Sequence, residues 1–76
     1  MAEAINMKKE EYIDGEWKQV TVKGIKLNDE YDLDIYYAKQ GVNFLWITIE
    51  REHVTCKRIS TVNRRLAKKG FNCKVA

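Results

Sequence analysis

The residues able to do covalent or acid–base chemistry are few: one His (His53), one Ser (Ser60) and two Cys (Cys56, Cys73) in 76 residues. A nucleophile needs its base within about 3 Å. His53 and Cys56 stand three apart in an alternating stretch, which puts them on opposite sides of a strand. His53 and the two Cys make three zinc ligands, where a structural site takes four. "DEYDLD" places Asp32 and Asp34 on one strand face, and paired carboxylates can hold Mg²⁺, yet neither a third ligand at a recognisable spacing nor a glycine-rich loop accompanies them. Alternating charge of this kind instead keeps a strand from aggregating. The expectation is therefore no catalytic residue, no metal and no cofactor. The one enzyme class left open is a small RNA-cleaving toxin that works with scattered basic residues and a single His.

Charge is the stronger signal. Residues 1–50 carry six Lys against ten acids, whereas residues 51–76 carry eight Lys or Arg against Glu52 alone. The segment "KRISTVNRRLAKKGFNCKVA" holds Lys57, Arg58, Arg64, Arg65, Lys68, Lys69 and Lys74 and no acid at all. Cations gathered this way suit a polyanion, through phosphate contacts that are salt-dependent and largely indifferent to base sequence. An acidic protein would be served equally well, and so would plain solvation of a small fold.

What must position these residues is a single core, since 76 residues cannot bury enough surface for two. There is no Pro, no repeat and no linker-like run. Residues 1–13 are polar and read as an N-terminal extension, frayed or forming a short helix or strand, ahead of a domain over 14–76. Asp14 and Gly15 make a turn. "EWKQVTVKGIKL" then alternates, with Val20 and Val22 on one side and Trp17, Gln19 and Thr21 on the other. Gly24 is a candidate bulge that returns Ile25 or Leu27 to the core. After the turn "LNDE", the runs "YDLDIYYA" and "NFLWITIEREHVTC" form a hairpin reversing at Gly41. Strict alternation there sends Leu33, Ile35, Tyr37, Leu45, Ile47 and Ile49 inward, and Asp32, Asp34, Tyr36, Phe44, Trp46, Thr48 and Glu50 outward.

The period then changes. Ile59, Val62 and Leu66 fall on one side of a helix over about 61–69, with Ser60 or Thr61 as cap and Gly70 as stop. Phe71, Cys73 and Val75 alternate inward, as in a closing strand. The fold class is thus α+β: a small single domain with a three- to four-stranded, mostly antiparallel sheet and one short C-terminal helix packed on one face, in the order β-β-β-α-β. Cys56 and Cys73 fall on inward positions and read as free, packed thiols, the alternative being a bridge between neighbouring strands.

On that helix Arg64, Arg65, Lys68 and Lys69 occupy the outer side and one flank. Like charges at i,i+4 cost about 0.2–0.5 kcal/mol per pair, and cations in the last turn recover about 0.3–1 kcal/mol from the helix dipole. Helix stability therefore neither requires nor forbids the cluster. "KGF" at Lys69 to Phe71 imitates the start of an RNA-recognition octamer, but the later aromatic positions that stack bases are missing.

Trp17, Tyr36, Phe44 and Trp46 all project away from the helix. Either Ile5, Met7, Tyr12 or Ile13 folds across to cover them, or they form an exposed patch that docks a protein. An edge strand pairing with another chain would make a homodimer in place of a monomer. No stretch has signal-peptide character, and "FLWITI" is far short of the ~20 residues of a membrane helix, so a cytoplasmic protein without membrane contact is expected. The reading is a small non-catalytic binding protein contacting nucleic acid through Lys57, Arg58, Arg64, Arg65, Lys68, Lys69 and Lys74. The alternative is a protein-interaction module or inhibitor, of the size of viral or mobile-element accessory factors, docking through Trp17, Tyr36, Phe44 and Trp46.

Overall fold

A computed structural model describes residues 2–76. The elements run β1 (Ala2–Ile13), β2 (Glu16–Leu27), β3 (Glu30–Gln40), a 3₁₀ turn (Val42–Phe44), β4 (Trp46–Cys56) and α1 (Ile59–Lys68). The four strands form an antiparallel meander in chain order. The chain is therefore ββββα, and not β-β-β-α-β.

The segment set apart as an extension is a full member of the sheet, with residues 2–13 paired to β2 along their whole length. Its hairpin closes through two residues, Asp14 (φ 52°) and Gly15 (φ 82°), both left-handed as a tight hairpin whose twist matches its strands requires. Asn28 (φ 59°) opens the second reversal. The third spans five residues, with the chain turning at Asn43 and Phe44 (both φ 62°) and not at Gly41.

One face of the sheet carries the core. Val20, Val22, Leu33 and Ile35 are fully buried there, joined by Ile13, Tyr37 and Val54. Helix α1 covers them with Val62 and Leu66. Its N-cap is Arg58 without a side-chain bond, not Ser60 or Thr61, and it starts two residues before the expected position. It stops where the glycine stands: Gly70 N–H donates to the Ala67 carbonyl (3.0 Å) and Phe71 N–H to the Leu66 carbonyl (3.0 Å), the paired bonds of a Schellman end.

Residues 71–76 do point Phe71 and Val75 into the core, yet they are not a strand. They lie across the sheet's face, where no edge is offered, and side chains take their backbone bonds instead. Glu11 accepts the N–H groups of Asn72 and Cys73 (2.8 Å each), and Asn63 both accepts from Val75 N–H (2.8 Å) and donates to its carbonyl (3.3 Å). These contacts close the cover over β1.

Gly24 is not a bulge, because pairing runs unbroken through it on both sides and leaves Ile25 and Leu27 exposed on the other face. Its role is clearance. A Cβ there would lie 2.1 Å from the Asp32 carbonyl oxygen and 2.9 Å from Leu33 Cδ2, at a φ of 154° that side chains avoid. The irregularity sits elsewhere: Tyr37 faces Glu50 but Ala38 faces Thr48, so β4 carries one extra residue at Ile49. Beyond it Glu50, Glu52, Val54 and Cys56 lie on the helix side, and Leu45, Ile47 and Ile49, expected inside, are exposed.

Two outcomes follow. Gly24→Ala should lower the unfolding free energy by more than about 2 kcal/mol in urea titration, the scale of a backbone clash added to strain. The Asn72 N–H bond, the largest influence, holds the Glu11 carboxyl below its ordinary range. A depressed folded value contributes stability above the unfolded value and loses it as pH falls through the folded one. The protection of the Asn72 and Cys73 amides, relative to their intrinsic exchange rate at each pH, should therefore fall on acidification below the ordinary glutamate range, before that of the sheet amides, and Glu11→Gln should show the reduced protection already at neutral pH.

Candidate functional site

The solvent side of α1 is set by the burial of Val62 and Leu66, which turns Arg64 and Lys68, one helical turn apart, directly outward. With Thr61 and Arg65 they line a shallow recess. Lys57 and Arg58 are exposed in the link ahead of the helix. None of Lys57, Arg58, Arg64 and Lys68 is in an ion pair among the described residues.

The other three cations are placed differently. Arg65 Nη1 lies 3.1 Å from Glu52 Oε2, and Lys69 pairs with Glu50 while its Nζ sits 5.1 Å from the centre of the Tyr37 ring. Tyr37 hydroxyl donates to the other Glu52 oxygen (2.6 Å), and burial, followed by this bond, pushes its pKa upward. Lys74 is on the tail, bordering a recess shared with Ala4, Asn6, Met7 and Lys9 on the β1 side. The seven cations thus divide: four free on and before the helix, two tied to β4, one apart. Simple alternation missed the two ties because it placed Glu50 on the outer face. The extra residue at Ile49 is what brings Glu50 and Glu52 under the helix flank.

The uncovered face has an order that the register makes plain. At one end Tyr12 pairs with Trp17 across β1 and β2, and Gln40 with Trp46 across β3 and β4, to form a row. Tyr12 and Trp17 meet edge to face at 5.5 Å, and both are exposed. The next row is Glu10, Gln19, Ala38 and Thr48, where Gln19 is buried and donates to Glu10 (3.2 Å). Further along come Tyr36 and Arg51, then Asp34 and His53. Trp17, Tyr36 and Trp46 therefore share this face as expected. Phe44 does not belong to a strand but projects from the 3₁₀ turn beyond the row's end. Ile5, Met7 and Ile13 pack on the helix side, and nothing from the N-terminal strand folds over the aromatics.

His53, weighed in the sequence only as a base for Cys56 and as a zinc ligand, has other partners. Its Nε2 is 2.7 Å from Asp32 Oδ1 and its Nδ1 2.7 Å from Asp34 Oδ1, so both ring nitrogens face carboxylates. Only the imidazolium donates to both. The Asp34 bond is the largest cause of a raised pKa. The Asp32–x–Asp34 pair and the single His were visible in the sequence; what could not be read was the register that sets His53 beside them. No cluster of three His, Cys, Asp or Glu side chains among the described residues has the geometry to hold a metal ion. Cys73, half-buried beside Glu11, has its thiol pKa pushed up to about 11 by burial first, which keeps it protonated and unreactive at neutral pH.

No known protein family, no curated protein and no solved structure matches the chain. Its surfaces have to be read from their own chemistry.

The His53 arrangement has a direct measure. Because its folded pKa is raised, the stability it contributes is complete below the ordinary histidine value and is lost as pH rises through the folded value. Following the ring protons by NMR, His53 should titrate above the ordinary value, and Asp34→Asn should bring the midpoint back down. A midpoint already at the ordinary value in the unaltered chain would disprove the bridge.

Proposed function

We propose that this protein is a non-catalytic binding module that contacts nucleic acid through the solvent side of α1 and the link before it. The observation that carries this reading is the set of four exposed, unpaired cations, Lys57, Arg58, Arg64 and Lys68, on a side of the molecule where residues 53–76 supply no acid. The nearby acids Glu50 and Glu52 support it too, since Arg65 and Lys69 already neutralise them. Arg65 adds a fifth contact at little expense: an ion pair this exposed is worth about 0–1 kcal/mol, which a phosphate can replace. Lys69 and Lys74 are peripheral, one held over Tyr37 and the other on the β1 side. The ten-residue helix is about 15 Å long, short enough to lie along or across a groove with its outward cations on phosphates. The thin inventory of nucleophiles and bases supports binding without cleavage.

A second reading, docking of a protein, is favoured by the exposed aromatic row and by Phe44, which is 79% exposed. There Trp17, Tyr36, Phe44 and Trp46 would act as anchors, and salt would matter little.

Fluorescence anisotropy with a labelled oligonucleotide over a salt series separates the two. The nucleic-acid reading expects log K to fall steeply with log salt, and Arg64→Ala with Lys68→Ala to reduce the slope by about two while leaving the thermal melt unchanged. Binding that is absent at low salt, or that keeps its full slope in the double variant, refutes the helix as the contact surface.

A further inference from the structure

The two edges of the sheet are unlike. β1 presents Lys8, Lys9, Glu10 and Glu11 in a row, the charged protection that keeps an edge from pairing. β4 has its charges only from Glu50 onward. Ahead of them "FLWITI" has no charged residue, and its apolar side chains are open to solvent: Leu45 is 66% exposed, Ile47 49% and Ile49 53%. A six-residue run of this composition on an open edge is an aggregation hazard unless something covers it.

The backbone says what would fit. Gly41 N–H donates to the Leu45 carbonyl (2.7 Å), which directs the hydrogen-bonding groups of Leu45 toward β3. These groups alternate sides along a strand. Those of Ile47, opposite Lys39, therefore also face β3, while those of Trp46 and Thr48 point outward, unpaired. The free donors and acceptors thus flank Ile47 symmetrically.

We infer that this chain forms a two-fold dimer in which the Leu45–Ile49 stretch pairs antiparallel with the same stretch of a second copy, Ile47 lying on the axis. In that register Trp46 faces Thr48 of the second copy, and the outward groups of these residues exchange four hydrogen bonds. Leu45 faces Ile49, and Ile47 faces its own counterpart. Every opposed pair is uncharged, and the run of Glu50, Arg51, Glu52 and His53 falls outside the paired stretch. The interface is isologous, as a closed two-fold dimer requires. Leu45, Ile47 and Ile49 from each copy are half to two-thirds exposed; at about 100 Å² removed per side chain they yield roughly 600 Å², to which the two Trp46 rings add, the size of a weak, concentration-dependent interface. Residues directly opposite share a face, so the axis stands perpendicular to the sheet. Both helices then lie on the same side of a continuous eight-stranded sheet.

This is independent of the nucleic-acid reading, because mass and oligonucleotide binding are measured separately. Light scattering during size exclusion, and sedimentation equilibrium, should give twice the 9.0 kDa chain mass at high concentration, falling toward the single mass on dilution. Ile47→Lys puts two like charges opposite each other at the axis and should return the single mass with an unchanged far-UV spectrum. The unaltered chain supplies a second readout: amide exchange at Trp46 and Thr48 should slow with rising protein concentration, while Ile47 and Lys39, already bonded within the chain, should not change. A chain that keeps the single mass up to millimolar concentration overturns the inference. So does a dimer whose Trp46 and Thr48 amides exchange equally fast at every concentration, because its interface then lies elsewhere.

Discussion

Tyr37 stands opposite Glu50, and its neighbour Ala38 stands opposite Thr48. That single extra residue in β4 decides what each side of the molecule displays. Without it, strict alternation would turn Ile49 toward the helix side and leave Glu50, Glu52 and Val54 on the other face. With it, two carboxylates are delivered to the flank of α1, where Arg65, Lys69 and the Tyr37 hydroxyl meet them. Ile49 is left outside, and Val54 is buried on the helix side. The bulge thus gives up the burial of Ile49, about 1.5–3 kcal/mol for such a side chain, and gains that of Val54 together with the polar seam.

The seam also sorts the cations. Residues 57–76 read as one basic block, but the fold makes of it an outward group, a bound pair and a lone tail lysine. What remains free is smaller and better defined than the block: the outer stripe of one helix and the two residues leading into it. The sheet's far face is divided in the same way. Its aromatic row is at one end, and Asp32, Asp34 and His53, a nearly self-compensating group, are toward the other.

Much of this was legible beforehand where a local rule decides the outcome. The turns at Asp14–Gly15 and Asn28 were readable because few residues tolerate a left-handed backbone. The inward sets Val20, Val22 and Leu33, Ile35, Tyr37 followed from alternation, and Val62 and Leu66 from the helical period. Gly70 marked its stop. What failed did so because the deciding contact was distant in sequence. Residues 2–13 look polar because β1 is an edge strand with only Ile5, Met7 and Ile13 to contribute inward. Residues 71–75 alternate like a strand, but their acceptors are the side chains of Glu11 and Asn63, and no periodicity reports that. The phase of β4 could not be read either, since nothing in "WITIEREH" marks Ile49 as the supernumerary residue. The basic side of α1 was visible. Its division was not, because it depended on that phase.

The clasp between Glu11 and the amides of Asn72 and Cys73 joins groups 61 and 62 positions apart. A meander needs only neighbour-to-neighbour pairing and can zip as each hairpin leaves the ribosome. Its greasy side, however, stays wet until translation has delivered α1 and the segment behind it. During that interval the nascent chain is a bare sheet with apolar surface on both sides and a sticky edge, which is when a chaperone, or a sister chain on the same messenger, would have most to hold.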